Sequence, residues 1–171
     1  MTKSMPGESS VYYPEGVIDT CIIAVSLFRS PLYEESVDFL SKVLSQEIRA
    51  AIPLTSIIGA IHIVTRYLRF PLDEAKMRAT EMLETDSPGF YPYVSIENAI
   101  QALEYALHSH VKVWDGYIIA LAKTIGNNIV YTFDREFGKV KDLRVVNPFS
   151  PELMKQYYEY VSKLRKSPGD H

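Results

Sequence analysis

Short apolar runs recur along this chain with a helical stretch between each and the next, and that alternation restricts the fold more than any single motif does. Gly16-Val-Ile-Asp-Thr20 reads as a buried strand, and Ala50 to Leu54, Asn128 to Thr132 and Leu143 to Val146 read as further strands. Phe90 to Val94 suits an edge strand, because Pro92 has no amide proton to give a central one. The intervening segments carry helical spacing. Leu32, Val37, Leu40 and Leu44 fall on one face after Pro31, and Pro71 to Glu84 is amphipathic. Thr55-Ser56 is expected to cap a helix, 57–68, that is apolar nearly all round and therefore buried. Ser95 precedes a helix with Ile96, Ile100, Leu103 and Leu107 along one side, and Trp114-Asp115 opens another that ends at Gly126, expected as a left-handed cap. Parallel strands need long crossovers, usually helical, so this order predicts an α/β fold with a central, mostly parallel sheet flanked by helices.

The length of 171 residues suits one domain with appendages. Residues 1–15 read as a flexible lead-in, 16–148 as the domain, and 149–171 as a final helix packed on that domain with a basic tail. The single cysteine, Cys21, permits no internal disulfide and no paired-cysteine zinc site, which points to a reducing compartment and a cytoplasmic protein. No apolar run reaches the roughly 18 residues a membrane-spanning helix needs. With 18 Lys and Arg against 21 Asp and Glu, the net charge of −3 carries no global signature of nucleic-acid binding. Any such role must come from local sites.

In parallel sheets ligands bind outside the carboxyl ends of the strands, which directs attention to the polar residues there. Asp19 ends the first apolar run, Asp115 opens a helix, and Asp134 follows the run ending in Val-Tyr-Thr-Phe. Each has a purely structural use, as a helix cap or in an Asx turn. Together they suggest more. Neighbouring carboxylates raise one another's pKa unless a cation neutralises them, and a hard divalent ion with oxygen ligands does so most simply. Such an ion, Mg²⁺ for example, supports phosphodiester hydrolysis by activating water and holding the phosphate.

Three segments then resemble the best-marked blocks of PIN-domain proteins: Val17-Ile-Asp19-Thr20, Trp114-Asp115-Gly-Tyr-Ile-Ile-Ala-Leu-Ala-Lys123, and Asn128-Ile-Val-Tyr-Thr-Phe-Asp134-Arg-Glu-Phe137. The resemblance covers about residues 16 to 148 in order and implies a PIN-like three-layer sandwich. It also implies a metal-dependent endoribonuclease, often the VapC-like toxin of a toxin–antitoxin pair, with RNA as substrate and with an antitoxin protein and a second copy as partners. By that pattern Asp19, Asp115 and Asp134 are the catalytic metal ligands for Mg²⁺ or Mn²⁺, with Thr132 and Thr20 in support. The chain departs from the pattern at the second acid, expected within Thr55 to Arg66, where no carboxylate occurs. His62 lies nearest that place, and Cys21 stands where many relatives have a polar residue such as Asn. Glu104 is a remoter source of a fourth oxygen. Arg66 and Arg135 are the candidate phosphate contacts, with Arg69, Lys139 and Lys141 nearby. A second reading follows from the missing acid: a PIN-like module that binds RNA or a protein without cleaving. A receiver-like phosphoacceptor domain fits less well, because the paired acids and late lysine of that arrangement are not evident.

Overall fold

The computed structural model describes residues 14–166, so most of the expected lead-in and the end of the expected basic tail lie outside the described residues. The elements are β1 (Val17–Ile18), α1 (Thr20–Val25), α2 (Tyr33–Leu44), β2 (Ile52–Pro53), α3 (Leu54–Arg66), α4 (Leu72–Leu83), β3 (Phe90–Tyr91), α5 (Ile96–Ser109), α6 (Val113–Thr124), β4 (Ile129–Tyr131), β5 (Arg144–Val146) and α7 (Pro151–Lys166). A 3-10 turn, Arg135–Lys139, lies between β4 and β5.

The expected parallel sheet is present. β1 pairs in parallel with β4, β4 with β5, and β2 with β3. A bridge from Val17 to Ala51 joins the two pieces, giving the order β3-β2-β1-β4-β5. Successive strand residues point to opposite faces, and the two cores follow that period. Ile18 and Ile52 join the side covered by α1 to α4, while their neighbours Val17 and Ala51 join the side covered by α5 and α6. Helices therefore flank the sheet on both faces. Met154 of α7 is buried in the first core, and Leu153, Tyr157 and Tyr160 pack against it.

Several local expectations change. α3 starts at Leu54 with Pro53 as its N-cap, so Thr55 and Ser56 lie inside the helix. That helix is also not buried all round: Ile57, Ala60 and Val64 face the core, but Ile58 is 70% exposed. The left-handed residues after α6 are Asn127 and Asn128 rather than Gly126. Gly126 serves close packing instead, since a Cβ there would come within 2.7 Å of the Val17 side chain. Most consequentially, Ile96, Ile100, Leu103 and Leu107 form an apolar stripe on α5 that faces outward. α5 instead turns Asn98 and Ala102 inward. The reason is Gly116, whose hypothetical Cβ would lie 2.2 Å from the Ala102 carbonyl oxygen, so the two helices meet backbone to backbone through small residues.

Candidate functional site

The site begins where β1 stops. Val17 and Ile18 are fully buried, and the chain leaves the sheet at Asp19, whose N–H still donates to the Tyr131 carbonyl of β4 at 3.0 Å. The Asp19 backbone is extended, and its carboxylate caps α1 by accepting the Thr20 N–H at 2.7 Å. Thr132, one residue past β4, donates its hydroxyl to the other Asp19 oxygen at 2.8 Å and accepts the Asp134 N–H at 2.9 Å. Asp134 in turn accepts the Glu136 N–H at 2.9 Å and caps the 3-10 turn. The Cys21 sulfur lies 3.2 Å from the same Thr132 oxygen. Burial and then the Asp19 charge hold the Cys21 thiol well above its usual pKa, which keeps it protonated.

Asp115 reaches the same place from the other side of the sheet. It lies in the first turn of α6, is only 8% exposed, and has a carboxylate oxygen, Oδ2, that is buried without a hydrogen-bond partner. Burial chiefly, and then the charges of Asp19 and Asp134, push its carboxyl up to about 6, with Lys112 opposing. The Asp19 carboxyl is raised as well, by burial first and by Asp134 to a lesser degree, against the hydrogen bonds from Cys21, Thr132 and Thr20. The three acids thus sense one another.

Asp19, Asp115 and Asp134 line one cavity of about 580 Å³, together with Thr20, Cys21 and Lys112. Its remaining wall is apolar and aromatic: Ile58, Gly59, Ile63 and Tyr67, with His62 and Trp114. The structure therefore gathers the three acids, Thr20 and His62, and places Thr132 directly behind them. Arg66, Arg135 and Glu104 do not line this cavity. Arg135 lines a neighbouring one of about 680 Å³, which shares Asp134 and also includes Lys155 and Tyr158.

A PIN domain family model matches residues 16–143 of the chain. The chain belongs to the PIN domain family. This is a family of nuclease type whose members generally use divalent metal ions and bind RNA. The fold is similar to the crystal structure of PAE2754 from Pyrobaculum aerophilum, with a TM-score of 0.54 and 13% sequence identity over 95% of this chain and 100% of that one. No curated protein matches the sequence.

Among the described residues of this PIN domain, no three His, Cys, Asp or Glu side chains stand close enough together to hold a metal ion as they are placed. The donor chemistry nevertheless fits a hydrated hard cation, which binds through one or two carboxylates and keeps several waters. The observation that carries the fit is the buried, unpartnered Asp115 oxygen beside two further carboxylates, an arrangement that is unfavourable until positive charge arrives. Sequence reasoning missed Lys112 and the use of Ile58, Tyr67 and Trp114 as cavity wall. Lys112 had a local signal, since it stands three residues before Asp115 as the N-cap of α6. The α3 residues had none, because an outward apolar side chain reads in sequence like an inward one.

Proposed function

We propose that this PIN domain is a metal-dependent endoribonuclease in which Asp19, Asp115 and Asp134 hold Mg²⁺ or Mn²⁺. The orphaned Asp115 oxygen facing two other carboxylates supports this reading more than any other observation. When bound, the ion supplies an activated water and charge stabilisation at the scissile phosphate. The chain's own residues do the rest. Thr132 fixes the Asp19 carboxylate and the Asp134 backbone in one hydrogen-bond chain, so two ligands keep their orientation before the ion arrives. Thr20 supports Asp19 from α1. Arg135, exposed beside Asp134, with Lys155 in the adjoining cavity, offers phosphate contacts along the strand leaving the acids. Arg66, exposed at the end of α3, is assigned to the opposite arm of the substrate.

The apolar α3 wall favours a second reading, a PIN domain that binds RNA without cleaving it. Purified protein incubated with RNA separates the two. The nuclease reading expects cleavage with Mn²⁺, its abolition by EDTA, and loss in both Asp19→Asn and Asp115→Asn. Absence of Mn²⁺ heat in calorimetry with retained RNA binding establishes the binding module.

The outward stripe on α5 follows the four-three-four spacing of a coiled-coil seam, with Ile96 76%, Ile100 52%, Leu103 59% and Leu107 72% exposed. We assign it to a second copy of the chain, because a two-fold pairing sets the same seam against itself. Leu103→Glu should then give a monomer in sedimentation while the wild type is a dimer. The toxin role and an antitoxin partner are supported by the family resemblance, and a cytoplasmic location by the lone cysteine. No described helix is long and apolar enough to cross a membrane.

A further inference from the structure

The α3 wall of the acid cavity combines features that hydrolysis alone does not require. Ile58 is 70% exposed, Tyr67 71% and Trp114 45%, yet all three border a cavity whose other side is carboxylate. The indole is held in place. Its Nε1–H donates to Thr20 Oγ1 at 3.0 Å, and α3 packs closely against it at Gly59, where a Cβ would come within 3.3 Å of the ring. His62 meets Tyr67 edge to face, with ring centroids 5.9 Å apart, which adds an aromatic margin. The indole is thus backed by Thr20 and Gly59, and the Tyr67 ring by His62.

This surface is also placed by covalent connection. Trp114 precedes Asp115, and Thr20, which holds the indole, follows Asp19. All four residues line the same cavity, so a base lying on the indole is in the space that the acids border. Lys112 adds a cation to the cavity. At about 580 Å³ the space falls within the range of small-ligand sites and has room for a nucleoside beside a hydrated ion.

We propose that Trp114, Ile58 and Tyr67 form a base-binding shelf, on which one unstacked base of single-stranded RNA seats so that its adjoining phosphodiester meets Asp19, Asp115 and Asp134. The proposal rests on the nuclease reading for the role of the acids and deepens it by naming the residues that seat a base of the substrate beside them. Stacking on aromatic side chains is worth enough per base to set affinity, and it is tolerant of sequence because every base has a π-face. Paired bases in an A-form duplex are stacked and cannot reach such a shelf, so it seats only an unpaired base.

Trp114 is the chain's single tryptophan, so its emission reports occupancy of the shelf without a label. The titration uses the full chain in EDTA against a short single-stranded RNA, the same RNA as a duplex, and a ribose-phosphate chain of equal length lacking bases. The expected result is saturable quenching by the single strand, with the duplex and the baseless chain weaker by on the order of tenfold or more. Ile58→Ala with Tyr67→Ala removes two exposed side chains, leaves the carboxylates in place, and should weaken the single strand by a similar factor and raise KM in Mn²⁺ with little change in kcat. Equal binding of the baseless chain, or an unchanged affinity in the double variant, overturns the shelf. So does a double variant whose main change is loss of self-association, which makes the wall a protein interface. Cleavage by the wild type with KM unchanged in the double variant sinks the shelf and leaves the nuclease standing. Base-dependent quenching with no Mn²⁺-dependent cleavage does the reverse.

Discussion

Across one cavity, the edge made by β1 and β4 presents Asp19 and Asp134 with Thr132 tying them together, whereas α3 presents Ile58, Ile63 and Tyr67 and no carboxylate. The polar edge is ordered by bonds that close on one another before any ligand arrives. The α3 wall depends more on shape, with Gly59 packed on the indole of Trp114 and one hydrogen bond, to Thr20, holding that ring. Asp115 stands between the two with its Oδ2 partnered by neither. The difference teaches that cation binding and substrate seating are carried by separate elements, so each can be perturbed without the other.

The largest effect is expected at the polar edge. Asp19→Asn keeps an oxygen able to accept the Thr20 N–H but removes the charge that a cation needs, and Mn²⁺-dependent cleavage should fall on the order of 10²- to 10³-fold. A loss below tenfold, with thermal melts showing the fold intact, breaks the assignment of this edge to catalysis.

Asp115 gives the next effect, and it appears in stability. Its carboxyl is raised from 3.8 to about 6 in the folded chain. The folded state therefore binds a proton that the unfolded state has released, and the stabilisation from that proton is complete below about pH 4 and lost as pH rises through about 6. The difference amounts to at most about 3 kcal/mol. Urea melts in EDTA should show stability falling over that window, and Asp115→Asn should flatten the fall and be the more stable protein at neutral pH. Asp19 is shifted in the same direction and retains part of the slope. A wild type whose stability rises from pH 4 to 7 contradicts the carboxylate crowding.

Thr132→Val tests whether the polar edge is one unit. The change strands an Asp19 oxygen and the Asp134 N–H together, which should destabilise by about 1–3 kcal/mol. Thr132→Ser keeps both bonds and should restore stability and activity. Equal behaviour of Val and Ser in melts and cleavage would show that the hydroxyl does not orient the acids.

The two walls also differ in how far they could be read beforehand. Asp19 was legible because a carboxylate directly after Val17-Ile18 ends an apolar run at a strand edge, and Asp134 because it follows Thr132 at the end of another. Parallel pairing followed from helices spanning the gaps between runs. What escaped was the rotation of helices. Ile96, Ile100, Leu103 and Leu107 look like a core-facing stripe in sequence, but the backbone contact of Gly116 with Ala102 turns the opposite face inward. Ile58 and Tyr67 escaped for the same reason, since apolar character does not say which side of α3 meets the core. Gly126 looks in sequence like a left-handed cap, but its lack of a side chain serves the approach to Val17, and the positive φ angles fall on Asn127 and Asn128.

The smallest effect bears on the boundary between the walls. His62 is exposed on α3 and lines the cavity with the three acids, so His62→Glu places a carboxylate on the wall that lacks one. If α3 faces the cation, the added charge should tighten Mn²⁺ binding about tenfold in calorimetry, equivalent to about 1.4 kcal/mol. Without metal the same carboxylate adds to the repulsion that already raises Asp115, so the variant should melt lower than wild type at neutral pH in EDTA and recover with Mn²⁺. A shelf for a base predicts a further change in the same protein: charge beside Tyr67 repels the RNA backbone, so affinity for single-stranded RNA falls while affinity for the ion rises. Movement of both affinities in the same direction would mean that the two walls act as one site, and the division between them would have to be abandoned.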